Sequence, residues 1–229
     1  MNLQPTSALA LLVLALPAAA QLPFNEGFDA GSNIGGWTIG PPTTNPQSGG
    51  NPGAWRNGSV DTFAPQIRTF GSSVFTGDWR AQGVRSVGID LLTVSTQFPA
   101  SRELSLMLSN DNGTPGNTAD DCIVSFLGTR LVPQPGTGWE TFDFAVDASS
   151  TTMPQGWKPL GACTDPDAAW NTVITNVSEV RYFYGNPEFF FIFDIWNLGF
   201  DNARISNVVP TSSYCVAKTS TQGCQAAVN

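Results

Sequence analysis

Two acidic side chains, one near each end of the chain, are the residues best placed to do chemistry. Asp29 lies in Asn25-Glu26-Gly27-Phe28-Asp29-Ala30-Gly31, ahead of Gly36-Trp37, and Asp201 lies in Gly199-Phe200-Asp201-Asn202-Ala203-Arg204-Ile205. Each run has the look of a short aromatic strand carrying a carboxylate. Pairing of the first and last strands would bring Asp29 and Asp201 together. Two carboxylates and the carbonyls of the turn at 31–34 would then suit calcium, a hard cation that takes roughly six to eight oxygen ligands. Glu26 is a candidate third carboxylate. The competing assignment has Asp29 capping a turn and Asp201 bonding backbone amides. In both assignments the work is structural, because no base or nucleophile accompanies these residues.

Other catalytic arrangements are missing from the residue inventory. The chain has no histidine, which removes Ser-His-Asp and Cys-His systems and any imidazole base. No C-x-x-C or similar zinc spacing occurs. A glycosidase needs two carboxylates flanking a cleft. Asp90, Glu103, Asp143, Glu179, Glu188 and Asp194 all fall in strand-like runs, and no spacing selects a pair. The loop from Asp111 to Asp121 is rich in Asp and Asn, but it lacks the final Glu and ligand spacing of an EF-hand, so it reads as a solvated turn. The expectation is a protein that is not an enzyme.

Aromatic residues offer a binding chemistry instead. Seven tryptophans and fifteen phenylalanines are many for this length, and aromatic faces stack on the apolar faces of sugars while amides and acids bond the hydroxyls. Trp55 and Trp157 sit in Gly/Pro-rich stretches and are the candidate ligand-binding residues. Trp79 and Trp170 look like core anchors, and Trp37, Trp139 and Trp196 are assigned to the core, where aromatic residues usually go.

Composition narrows the setting. Net charge is −8 with a pI near 4.3 and ten basic residues, a balance that repels phosphate backbones and argues against nucleic acid. Ala8 to Leu16 is apolar and is followed by Pro17-Ala18-Ala19-Ala20. That run is about half of what spans a bilayer and has the form of a signal peptide over residues 1–20. The longest later apolar run, Phe189 to Phe193, is strand-sized, so no membrane span is expected. The expected location is secreted, extracellular or at the cell surface. Four cysteines in an exported chain point to two disulfides. Three pairings are open. Cys122 with Cys163 would tie a strand start to a long loop, and Cys215 with Cys224 would close a local loop in the tail.

Strand patterns must position these groups. Leu104, Leu106 and Leu108 alternate with polar residues, as do Phe142, Phe144 and Val146, and Val87, Ile89 and Leu91. Period two with one apolar face marks half-buried strands. Val177 to Tyr184 is β-branched and aromatic, and Glu188 to Trp196 is almost continuously apolar, as a strand buried on both faces would be. Gly185-Asn186-Pro187 between them predicts an antiparallel hairpin, with Asn197-Leu198-Gly199 turning into a closing strand over 200–206. Asp165-Pro166 is a helix start, with the acid as cap and the proline at the first helical position. The predicted organisation is one all-β domain over 21–206, an antiparallel β-sandwich with long loops. Residues 207–229 form a polar tail, either a stapled appendage or the start of something further.

The order of these motifs resembles the galactose-binding-like jelly rolls, which include many carbohydrate-binding modules. Gly27-Phe28-Asp29-Ala30-Gly31 with Gly36-Trp37 stands where such modules open, and Asp201-Asn202-Ala203-Arg204-Ile205 where they close. Gly138-Trp139-Glu140-Thr141-Phe142 and Val177-Ser178-Glu179-Val180-Arg181 are similar to interior strands of the same class. The resemblance covers about residues 22–206 and departs from it at the inserted Glu26 and at Asp29, where Glu is usual. It implies a jelly roll, a structural calcium near Asp29 and Asp201, and a non-catalytic module that binds carbohydrate or extracellular matrix. The alternatives are a structural or adhesive surface domain without sugar affinity, and a polysaccharide hydrolase.

Overall fold

A computed structural model describes residues 22–70, 73–98 and 101–210. The expected signal peptide and the Cys215–Cys224 loop lie outside the described residues. In chain order the strands are β1 (Phe24–Glu26), β2 (Thr43–Thr44), β3 (Arg56–Thr62), β4 (Gln66–Phe70), β5 (Ser86–Thr96), β6 (Glu103–Asn110), β7 (Cys122–Leu131), β8 (Glu140–Ala145), β9 (Trp157–Gly161), β10 (Glu179–Tyr184) and β11 (Asp194–Ser206). Two helices accompany them, α1 (Trp79–Gln82) and α2 (Pro166–Ile174). Among the described residues one sheet runs β2-β3-β11-β5-β8 with β1 also on β11, and the other runs β4-β10-β6-β7-β9. All the strand pairings are antiparallel. The architecture is the jelly-roll sandwich.

The alternation read from the sequence explains the core. Leu104, Leu106 and Leu108 of β6 face Val87, Ile89 and Leu91 of β5 across the two sheets, and all six are fully buried. Trp37 stacks on Tyr182 with ring centroids 5.6 Å apart. Each such buried side chain contributes about 1.5–3 kcal/mol. The cap on α2 forms as expected: the Asp165 carboxylate accepts from Ala168 N at 2.8 Å, Pro166 opens the helix, and Ala169, Trp170, Val173 and Ile174 are buried. Cys122 and Cys163 form a disulfide that ties the start of β7 to the segment between β9 and α2. β1 pairs with the end of β11, Phe24 opposite Ile205 and Glu26 opposite Ala203, so the chain's first and last strands do meet.

The closing hairpin is corrected. β10 lies between β4 and β6 in one sheet, while β11 lies between β3 and β5 in the other. The chain must therefore cross between sheets after Tyr184, and residues 185–193 make that crossing instead of a tight turn. The apolar run predicted as a buried strand is mostly solvent-facing, with Phe189 at 67%, Phe190 at 85%, Ile192 at 75% and Phe193 at 48% exposure. Asn197, Leu198 and Gly199 continue β11 without turning. The demand of the sheet order overrides local turn chemistry.

Candidate functional site

A loop spanning residues 45–54 joins two clusters on the outer side of the six-stranded sheet. Its first anchor is acidic. Asp201, fully buried, accepts from Asn51 N and from Asn202 N, each at 2.7 Å. Asp29, exposed in a 3-10 turn at Asp29–Gly31, accepts from Ala54 N at 3.3 Å. Asp90 accepts from Asn51 Nδ2 at 3.1 Å and Asn202 Nδ2 at 2.9 Å. The β11 ladder shifts register between Asp201 and Arg204, where Asn202 takes a φ of 46°. That bulge lets the side chains of Asp201 and Asn202 both reach the loop.

Charge is unevenly answered here. Arg204 donates to Asp90 at 2.9 Å and to Asp143 at 2.6 Å. Burial opposes the Arg204 charge, but Asp143 and Asp90 outweigh it and hold its pKa above the ordinary guanidinium value. Asp201 has no such cation among its described contacts. Burial pushes its carboxyl up to about 6; the Asn51 and Asn202 amides pull the other way, and the charges of Asp90 and Asp29 add to the rise.

This geometry is a test of the expected calcium set. Asp29 and Asp201 hold amides only three residues apart in the same loop, so the structure brings these two together. Glu26 does not join them. It is buried and turned toward the next turn, where it accepts from Ser32 Oγ at 2.6 Å and Gly35 N at 3.1 Å. Among the described residues no group of three or more His, Cys, Asp or Glu side chains could hold a metal. Any cation between Asp29 and Asp201 would therefore draw the rest of its shell from backbone carbonyls or water, which calcium accepts. A buried carboxylate without a cation partner fits such an ion.

The second anchor is aromatic. Trp55 and Trp139 meet edge to face with centroids 5.4 Å apart. Trp55 Nε1 donates to Ser48 O and Trp139 Nε1 to Gly49 O, both at 3.0 Å, so the loop at 45–54 holds both rings. Both lie against Gly199 of β11, where a Cβ would come 2.5 Å from Trp55 Cζ3 and 3.1 Å from Trp139 Cη2. Asn57 donates to Asn197 Oδ1 at 2.7 Å on the neighbouring strands. Of the seven tryptophans only Trp55 and Trp139 are not buried.

Trp157, expected on a loop, is corrected: it stands in β9 at 7% exposure, against Phe126 and Trp170. Trp139, assigned to the core, is half-exposed. A signal for it was present in Gly199, since a glycine inside an apolar strand marks a close approach by another group. The outer face of the five-stranded sheet is mixed, with Phe70, Leu127 and Leu131 exposed beside charged side chains. Arg68, Arg181, Met107, Ser125 and Lys158 form one row across it, with Arg181 paired to Glu179 and Lys158 to Glu188.

No protein-family model and no curated protein sequence matches the chain. Solved structures similar to it include the family 11 carbohydrate-binding module from Clostridium thermocellum in complex with a β-1,3-1,4-mixed-linked tetrasaccharide, at 13% identity and TM-score 0.46, covering 81% of this chain and 96% of that one. The tandem CBM22-1–CBM22-2 domain from Paenibacillus barcinonensis is similar at 11% identity and TM-score 0.47, covering 86% of this chain and 52% of that one. An exo-β-agarase is similar at 10% identity and TM-score 0.47, covering 82% of this chain and 25% of the agarase.

Proposed function

We propose that this protein is a secreted, non-catalytic module that binds carbohydrate through Trp55 and Trp139. One observation carries the reading: the two tryptophans that are only partly buried touch each other, on a sheet face flanked by asparagine and aspartate side chains. Rings with satisfied indole N–H groups present their remaining faces to an apolar surface, and sugars supply such surfaces along with hydroxyls for the neighbouring amides and acids. The substrate class is a neutral glycan, since the chain's net charge of −8 disfavours anionic polymers.

Calcium has a place in this reading. An ion between Asp29 and Asp201 would answer the uncompensated charge of Asp201 and stiffen the loop that holds both indoles. Its contribution is order in the binding surface, with no chemical step.

A glycan array probed with the protein and with Trp55→Ala and Trp139→Ala variants tests the proposal. The expected result is a glycan signal that both variants lose by tenfold or more. A signal that survives both substitutions rules out this site, and absence of any glycan signal favours a surface domain without sugar affinity.

A further inference from the structure

Beside the two indoles the six-stranded sheet carries a pair of asparagines whose amides are held in one direction. Trp196 and Leu198 lie in the core, so Asn197 and Gly199 face outward from β11. Asn57 of β3 lies opposite Gly199 in the ladder, on the same face as Asn197. Two residues along a strand cover roughly 7 Å, so both amides stand next to the glycine that seats Trp55 and Trp139. Ser59 and Ser95 flank Asn197 on the two neighbouring strands and are exposed, which leaves this row open to solvent.

The Leu198 carbonyl fixes how the amides point. A carbonyl only accepts, so the Asn57 atom 3.0 Å from Leu198 O is Nδ2. The same Nδ2 donates to Asn197 at 2.7 Å, and the accepting atom there is Oδ1. Both N–H bonds of Asn57 are thereby used inside the protein. What remains is the complement: the acceptor Asn57 Oδ1 and the donor Asn197 Nδ2, neither with a hydrogen-bond partner among the described residues. The N–H bonds on Asn197 Nδ2 diverge, so they cannot both reach one oxygen.

We infer that Asn57 and Asn197 read two adjacent hydroxyls, a vicinal diol, on the sugar seated against Trp55 and Trp139. One hydroxyl donates to Asn57 Oδ1, and its neighbour accepts from Asn197 Nδ2. This selectivity rests on carbohydrate binding at the indole pair and adds what stacking lacks. Pyranoses in general offer an apolar face to an indole, but the linkage decides which hydroxyls are left free. A 1,4-linked glucose residue keeps adjacent hydroxyls at C2 and C3, whereas a 1,3-linked residue keeps no adjacent pair on its ring. A donor and an acceptor fixed in place before the ligand arrives discriminate between the two, because the wrong linkage leaves one of them unpaired against the sugar.

Isothermal titration calorimetry of the full chain with the 1,4-linked cellohexaose, xylohexaose and mannohexaose, and with the 1,3-linked laminarihexaose, tests this. At least one 1,4-linked hexaose should bind about tenfold or more tighter than laminarihexaose. Asn197→Ala should erase that preference and keep the residual affinity that Trp55→Ala removes. Asn197 is half-buried on the outer face, so water can take the place of its amide and the melting temperature should hold; Asn197→Ser is the second variant if it does not. Equal or tighter binding of laminarihexaose overturns the inference and leaves the indole site standing, as does a preference that survives both substitutions. Absence of binding to all four hexaoses, while Trp55→Ala abolishes binding to another glycan, has the same meaning. If no glycan binds in a Trp55-dependent way, the carbohydrate reading itself falls, and the diol with it.

Discussion

Gly199 and Trp55 are matched: the missing side chain of one is the seat of the other. A Cβ at Gly199 would lie 2.5 Å from Trp55 Cζ3, a separation that real contacts do not show. Gly199 is not among the glycines with positive φ, so its backbone would accept alanine, and what alanine disturbs is the ring pair. Gly199→Ala should therefore push Trp55 and Trp139 outward. Because both rings are half-exposed and can move into solvent, the expected stability loss is small, about 1 kcal/mol. Glycan affinity should fall about tenfold or more. Unchanged affinity with a displaced indole fluorescence spectrum would show that the pair is not the binding surface.

Trp157 and Trp55 should behave oppositely. Trp157 is buried between Phe126 and Trp170, with centroids at 5.4 and 5.0 Å. Its replacement by alanine leaves a cavity and should cost about 3–5 kcal/mol in urea unfolding. Trp55→Ala should cost far less while removing ligand binding. A Trp157→Ala variant of native stability would contradict the packing described for β9.

The Cys122–Cys163 bond closes a loop with a sequence separation of 41. Loop-closure entropy gives it about 4 kcal/mol of stabilisation. The double variant Cys122→Ala/Cys163→Ala should show that loss in denaturant, and α2 should gain hydrogen exchange first, because the bond holds the segment that leads into it. Equal exchange in both proteins would assign the bond no part in anchoring α2.

Most strands could be read directly from the chain because their evidence is local. Leu104, Leu106 and Leu108 show a face whatever lies opposite, and Asp165-Pro166 caps a helix by its own chemistry. The failures are decided by distant residues. Phe189 to Phe193 has a strand's composition, and only the placement of β10 and β11 in different sheets makes it a crossing. Trp157 follows a glycine and looks loop-borne until Phe126 and Trp170 enclose it. Trp139 looks like core until Gly199, on another strand, leaves it a seat on the outside. The matched ends that carry Asp29 and Asp201 are local signals, but the loop at 45–54 that joins these residues shows in the chain only as Gly- and Pro-rich sequence. The exclusion of Glu26 depends on Ser32 and Gly35, whose amide and hydroxyl claim it.

Those placements separate the three acidic candidates for calcium. Addition of calcium should raise the melting temperature of the native protein relative to chelator. Asp29→Ala should abolish that rise. Glu26→Gln should preserve the rise on a slightly lower baseline, since the amide oxygen can still accept from Gly35 N and the amide nitrogen can donate to Ser32 Oγ, so that only the charge assistance of the two bonds is lost, about 1 kcal/mol. A calcium response abolished by Glu26→Gln and kept by Asp29→Ala would reverse the assignment.

Asp201 supplies the sharpest test, because it is fully buried and no cation stands among its described partners. Burial pushes its carboxyl up to about 6 in the folded chain. Unfolding returns it to the ordinary aspartate value, about 3.9. Between those values the folded state holds more protons than the unfolded state, so this group makes stability fall as pH rises from about 4 to about 6, and the loss is constant above that. The whole effect is at most about 3 kcal/mol, two units at about 1.4 each. A calcium ion reverses the sign. Bound to the carboxylate it favours the ionised form, so the folded value should drop below the ordinary one and the downward slope should vanish. The measurement is the carbon-13 shift of the Asp201 carboxyl through a pH titration, with chelator and with saturating calcium. The expected midpoints lie near 6 without the ion and below about 4 with it. A midpoint that calcium leaves in place would sink the ion's assignment to this pair, and a midpoint near 3.9 in chelator would mean that water reaches Asp201 in a way the buried carboxylate does not allow.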